Sequence, residues 1–69
     1  MMGQNELYNN WQHWCNEKIN CEIRYLDNRC EMKVIVSPIL DVDTEAFKIS
    51  VAGKIIPFRN VLSVQPLTN

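Results

Sequence analysis

The sequence of 69 residues has few of the residues on which most enzymes and membrane proteins depend. It contains one histidine and two isolated glycines, Gly3 and Gly53, so it lacks a glycine-rich phosphate loop and most acid–base constellations. No apolar run approaches the roughly 18 residues of a membrane span. The first six residues lack the basic and apolar segments of a signal peptide. We therefore expect a cytoplasmic, non-enzymatic protein without membrane association.

Excess charge of one sign is also absent. Seven basic and eight acidic residues give a net charge of −1, which excludes a generally basic nucleic-acid coat and a polybasic membrane binder. Hydrophobic residues make up 46% of the chain, enough for one small core. A core of this size does not divide, so residues 1–69 are expected to form a single domain. Its stability margin should be thin, and association with a partner or with itself would increase it.

Three cysteines, Cys15, Cys21 and Cys30, cannot close a disulfide framework because their number is odd. We interpret them as small, mostly buried apolar residues. The alternative is a metal site formed with His13, but the gaps of one, five and eight residues match no compact zinc motif. The sequence therefore predicts no metal and no cofactor.

Residues 4–20 are predicted to form an amphipathic helix, with Asn5 as its N-cap and Asn20 as its left-handed end. Apolar residues recur at helical spacing along it, namely Leu7, Tyr8, Trp11, Trp14, Cys15 and Ile19.

From Cys21 the apolar period changes to 2, which predicts β-strands over residues 21–65. A two-residue turn at Asp27–Asn28 would pair Ile23 with Met32 on the buried face. The same register would bury Cys30, Val34 and Val36, and it would pair Arg24 with Glu31 and Glu22 with Lys33 on the outer face.

Three more strands are expected after an acidic turn at residues 41–45. Phe47, Ile49 and Val51 lie on the third, residues 54–58 form the fourth across a turn at Ala52–Gly53, and residues 62–65 form the fifth after a 3₁₀ turn at 59–61. The predicted class is α+β: an N-terminal amphipathic helix packed on a small five-stranded antiparallel Sm/SH3-like β-barrel. Closure would remove exposed edge strands. An open meander against the helix is the alternative.

The stretch from Ile23 to Val64 carries three short patterns: Ile23-Arg24-Tyr25, Ile39-Leu40-Asp41-Val42-Asp43, and Ile56-Pro57 followed by Val61 and Val64. Together with Phe47-Lys48-Ile49 they resemble the YolD-like family of small bacterial and phage proteins. The resemblance implies an Sm-like barrel and a loose link to DNA-damage tolerance and Y-family polymerases. The chain departs from the family at Ser37-Pro38, where the family has glycine, and in its helix with two tryptophans.

Two groups of residues are candidate binding sites. Tyr8, Trp11 and Trp14 share one helix face; this face either covers the barrel or forms a partner interface, since tryptophan and tyrosine are enriched at binding hot spots. The second group is Lys54, Arg59 and Asn60, predicted to cluster at one barrel end as a nucleic-acid or anion site.

These features predict a non-enzymatic interaction module, an accessory or regulatory protein of phage or bacterium. It would bind a bacterial protein of nucleic-acid metabolism or host defence. One alternative is a small RNA- or DNA-binding Sm-like barrel. Another is a homo-oligomer that holds a small anionic ligand between subunits.

Overall fold

The computed structural model describes residues 4–67 of the chain, with side chains from residue 8 onward. One helix, α1 (Gln4–Asn16), precedes six strands. These are β1 (Asn20–Leu26), β2 (Met32–Pro38), β3 (Asp41–Asp43), β4 (Lys48–Val51), β5 (Lys54–Pro57) and β6 (Val61–Pro66). A 3₁₀ turn, Phe58–Asn60, joins β5 to β6. Within the described range, no helix has the length and apolar character needed to cross a membrane.

The strands form two three-stranded antiparallel sheets, in the orders β2-β1-β6 and β3-β4-β5. The predicted α+β class is confirmed. Residues 4–67 contain six strands rather than five because residues 41–43, predicted as part of an acidic turn, pair with β4. Ile39 and Leu40 separate this added strand from β2, so the chain passes from one sheet to the other over two residues.

The helix is shorter than the predicted span of 4–20. It ends at Asn16, and Lys18, with φ of 56°, takes the left-handed conformation that was expected at Asn20. Asn20 instead begins β1. The predicted N-cap is also wrong, because the helix already includes Asn5. The side chain of Leu7 lies outside the described part of the chain.

The predicted register of the first hairpin is wrong by three residues. Ile23 lies opposite Ile35 rather than Met32. Because side chains alternate between the two faces of a strand, an odd shift reverses which face of β2 is buried. Three apolar side chains, Met32, Val34 and Val36, are therefore exposed, by 57%, 51% and 57%. We call these three residues the β2 apolar row.

The Asp27 side chain explains the change of register. Its Oδ1 accepts the backbone N–H groups of Arg29 at 2.8 Å and Glu31 at 2.9 Å, which widens the connection to a loop over residues 27–31. Cys30 takes a positive φ of 60° in this loop and is exposed, contrary to its predicted burial. The predicted cross-strand ion pairs do not form: Lys33 instead approaches Asp27 and Glu31 within the hairpin end.

The second hairpin forms in the predicted register. Ile49 lies opposite Ile56, and Gly53 takes the positive φ of 69° in the two-residue turn. Phe47, expected on a strand, lies in the turn before β4 with φ of 57° and is exposed.

The core combines residues from the helix and both sheets. Its fully buried side chains are Cys21, Ile23, Ile39, Ile49, Val51 and Ile56. Ser37, a polar residue, is also buried: its hydroxyl donates to the Pro38 carbonyl at 2.7 Å and accepts the Ala52 N–H at 3.1 Å. This bond ties the end of β2 to the turn of the second hairpin.

Candidate partner-binding groove

Four aromatic rings meet at the junction of the helix with the second sheet. Phe58 is at the centre, with the Tyr8 ring 4.4 Å away and the Trp11 ring 5.3 Å away in a T-shaped contact. The Phe47 ring makes an edge contact with Phe58, at a centroid distance of 6.1 Å and an interplanar angle of 80°. Offset and edge-to-face contacts of this kind contribute about 0.5–1.5 kcal/mol each beyond area burial. The contacts with Phe58 therefore help to fix the positions of the other three rings.

Local sequence explains how each ring reaches this place. Tyr8 and Trp11 are three residues apart, so they share one face of α1. Phe58 begins the 3₁₀ turn, and its N–H donates to the Phe47 carbonyl at 2.8 Å. Asp43 shapes the preceding turn, because its carboxylate accepts the N–H groups of Glu45 and Ala46.

These rings line an open groove of about 440 Å³, which we call the aromatic groove. Phe47 and Leu62 are 59% and 52% exposed beside it. Its volume lies within the range of about 300–1,000 Å³ typical of ligand sites. The residues that line it are Tyr8, Trp11, Phe47, Phe58, Arg59, Val61, Leu62, Ser63 and Val64.

The predicted tryptophan face is divided between core and groove. Trp11 is only 3% exposed and belongs to the core, although it borders the groove. Its indole Nε1 is buried and has no hydrogen-bond partner among the described residues. Trp14 is partly buried, packs against the core and does not line the groove. Of the three residues predicted to bind a partner, Tyr8 is therefore the most accessible to a molecule in the groove.

One cation lines the aromatic groove and a second lies beside an adjoining hollow. Arg59 is exposed and lines the groove, and it also lines the adjoining hollow with Phe47, Lys48 and Ile55. Among residues 4–67, neither Arg59 nor Lys48 takes part in an ion pair. The apolar surface around Phe47 is therefore flanked by positive charge that is free to pair with a ligand.

The predicted cluster of Lys54, Arg59 and Asn60 does not converge on one site. Lys54 and Asn60 line a separate hollow of about 200 Å³, whereas Arg59 lines the aromatic groove. The Asn60 amide donates to the Leu26 carbonyl at 3.1 Å, and the Lys54 ammonium lies 5.7 Å from the Tyr25 ring centroid.

The carboxylate of Asp27 also lines the smaller hollow, which disfavours an anion there. The pKa of Asp27 is lowered by the N–H of Glu31 and then by that of Arg29, with smaller effects of Lys33 and Lys54. Asp27 therefore remains ionised at neutral pH.

The thiols near the core are poor nucleophiles. Burial raises the pKa of Cys21, and burial together with the nearby Asp41 carboxylate raises the pKa of Cys15. Within the described residues, no three His, Cys, Asp or Glu side chains are placed to hold a metal ion.

The sequence did not indicate Phe47 and Leu62 as exposed residues that line a groove. Phe47 alternates with Ile49 and Val51 in the sequence, so the pattern placed it on a buried strand face. No local signal marked its positive φ. Comparison of the chain with protein-family models, curated proteins and solved structures found no match.

Proposed function

We propose that this chain is a small, non-enzymatic interaction module, an accessory or regulatory protein of phage or bacterium that binds a bacterial protein partner. The partner segment lies in the aromatic groove. The observation that carries this proposal is the exposure of Phe47 and Leu62 beside a groove of about 440 Å³ walled by mutually packed rings. Aromatic side chains on a fixed support supply binding energy with little loss of conformational entropy.

The groove favours an extended segment with an apolar or aromatic side chain next to an acidic one. The apolar side chain contacts Tyr8, Phe47 and Leu62, which line the groove. The acidic side chain pairs with Arg59, whose guanidinium geometry suits a carboxylate. Lys48 lies beside the adjoining hollow and extends the positive rim. Such a partner belongs to nucleic-acid metabolism or host defence in this proposal.

The fold in this proposal is an Sm/SH3-like barrel related to the YolD-like family. In support, β2 and β3 are separated by only Ile39 and Leu40, so they can be treated as one bent strand, which reduces six strands to five. The pairing orders β2-β1-β6 and β3-β4-β5 then share that strand. The 3₁₀ turn between the last two strands brings Phe58 beneath the helix.

Nucleic-acid binding and capture of a small anion are weaker candidates. Lys54 and Arg59 line different hollows, and Asp27 lies beside Lys54. A single-stranded ligand binds best where cations and exposed aromatics follow one track. The aromatic groove offers one arginine on such a track.

A peptide-display selection on the immobilised protein tests the proposal. We expect enriched sequences that combine an aromatic or large aliphatic residue with a neighbouring Asp or Glu. Binding should be lost in Phe47→Ala and weakened in Arg59→Glu. It should be retained in Leu40→Ala, which changes an equally exposed residue (61%) outside the groove. If Phe47→Ala binds the selected peptides as tightly as the wild type does, the aromatic groove is not their binding site.

Oligonucleotides form the second arm of this experiment. Affinity for RNA or single-stranded DNA that falls steeply with salt, with no peptide enriched, would favour the nucleic-acid alternative.

A further inference from the structure

The free edge of β2 combines unpaired backbone with apolar side chains. β2 is an outer strand of its sheet, and within residues 4–67 it pairs with β1 alone. Edge strands are usually protected by charges, bulges or covering elements. The seven residues of β2 contain one charge, Lys33, and their pairing with β1 shows no bulge. The β2 apolar row faces solvent along this edge.

The phase of the hydrogen bonds shows which residues point to the free edge. The Asp27 N–H donates to the Glu31 carbonyl at 2.9 Å, although the Glu31 N–H goes to the Asp27 carboxylate. On the other edge of β1, the Leu67 N–H donates to the Asn20 carbonyl at 2.8 Å, so the even-numbered residues of β1 face β6 and the odd-numbered ones face β2. Hydrogen-bonded and non-hydrogen-bonded pairs alternate along an antiparallel ladder. Residues 33 and 35 therefore bond to β1, and the N–H and C=O groups of Met32, Val34 and Val36 point away from it. The residues with exposed apolar side chains thus also carry the unpaired backbone groups.

We propose that β2 is a dimerisation strand, on which the β2 of a second copy of this chain pairs in antiparallel orientation about a two-fold axis at Val34. In this register Met32 lies opposite Val36 of the second copy, and Val34 lies opposite its own equivalent. Three hydrogen-bonded pairs form, with about six N–H···O bonds. The β2-β1-β6 sheet of one copy and that of the other then join into one continuous sheet. This surface is separate from the aromatic groove, so the inference does not depend on the proposed function.

Self-complementarity identifies the second copy as the occupant. The two-fold axis sets the β2 apolar row of one chain against that of the other, which gives a strip of six apolar side chains. No like charges face each other, because Lys33 lies opposite Ile35 and Glu31 opposite Ser37. Pairing of the edge also removes a site of unspecific strand addition. A domain of 69 residues gains stability from such association.

Disulfide trapping tests the register. In a Cys30→Ser background, Val34→Cys places two thiols on residues whose Cα atoms are about 5.5 Å apart in a hydrogen-bonded pair. This separation lies within the range that a disulfide spans, about 4.4–6.8 Å. Met32→Cys in the same background is the matched control, because its two equivalents lie about 13 Å apart along the strand. The background alone reports any linkage through Cys15 or Cys21.

We expect rapid formation of a covalent dimer on mild oxidation for Val34→Cys only. Equal linkage in Met32→Cys would show random collision and would overturn the proposed register.

Sedimentation of the unmodified chain and two lysine variants tests the dimer itself. Val34→Lys sets two ammonium groups opposite each other and should raise the dissociation constant about tenfold or more. Leu40→Lys, at an exposed position outside β2, should leave it unchanged. Far-UV circular dichroism verifies that both variants fold, since Val34 is half exposed in the single chain. A wild-type monomer up to millimolar concentration, or a dimer that Val34→Lys leaves intact, would overturn the proposal.

Discussion

Replacement of Trp11 by alanine should remove much of the stability of this fold. The Trp11 side chain is almost fully buried and contacts the Phe58 ring. A large aromatic side chain buries about 150–250 Å², which corresponds to about 4–6 kcal/mol at 25 cal/mol per Å². The unpaired indole N–H reduces this contribution by about 1–3 kcal/mol. The expected net loss is therefore about 1–5 kcal/mol, a range that overlaps the roughly 3–5 kcal/mol of Phe→Ala and Trp→Ala changes in cores.

The loss expected for Trp11→Ala is large relative to the total stability of the domain. A domain of 69 residues has a free energy of unfolding of about 3–10 kcal/mol. Trp11→Phe should lower it by less than half as much as Trp11→Ala. Phenylalanine retains an aromatic ring against Phe58 and eliminates the buried N–H that has no partner.

Urea unfolding at neutral pH measures both changes. Far-UV circular dichroism follows the whole fold, and the fluorescence of Trp14, the remaining tryptophan, follows the helix. Leu40→Ala is the control and should change the free energy of unfolding by less than about 0.5 kcal/mol, because Leu40 is exposed. A loss below about 1 kcal/mol in Trp11→Ala would show that Trp11 is not a core residue, since truncation of a buried tryptophan costs about 3–5 kcal/mol.

Two further predictions concern the turns. Folding lowers the pKa of Asp27 through the N–H groups of Glu31 and Arg29, so its carboxylate stabilises the fold above the usual aspartate pKa of about 4 and ceases to do so as the pH falls through the lowered value. Urea midpoints should show a difference between wild type and Asp27→Asn at about pH 6 that shrinks as the pH falls below the usual aspartate pKa of about 4; a constant difference would contradict the assignment. Gly53→Ala should lower the free energy of unfolding by about 1 kcal/mol, with Gly53→Asn closer to wild type, because the φ of 69° strains a side chain although an added Cβ meets no atom within 4 Å. No loss in thermal unfolding would show that this turn has another conformation.

The sequence was sufficient to predict an element wherever the interaction that determines its structure is local. The second hairpin was predicted in the correct register because Gly53 supplies the positive φ of the turn and the apolar alternation on both sides agrees with it. The helix was predicted from the spacing of Tyr8, Trp11 and Trp14, although its end was placed too late. These features depend on neighbours a few residues apart, which a pattern records directly.

The first hairpin could not be predicted in this way because two local patterns competed. Opposite charges on the outer face and apolar residues on the inner face both favoured a turn at Asp27–Asn28. The Asp27 carboxylate instead accepts hydrogen bonds from two backbone N–H groups further along the chain. These bonds lengthen the loop and reverse which face of β2 is buried. The β2 apolar row is exposed as a result, so the proposed dimerisation surface could not be inferred from alternation.

The candidate groove shows the same division between sequence and structure. The class of the fold, the aromatic face of the helix and the second hairpin could be predicted from the amino-acid pattern, because each follows from periodicity and turn chemistry. Long-range packing determines that Trp11 belongs to the core, that Phe47 is exposed and that Arg59 lies apart from Lys54. These outcomes depend on how the helix, two sheets and a 3₁₀ turn pack around Phe58, and such contacts join residues that are distant in the chain.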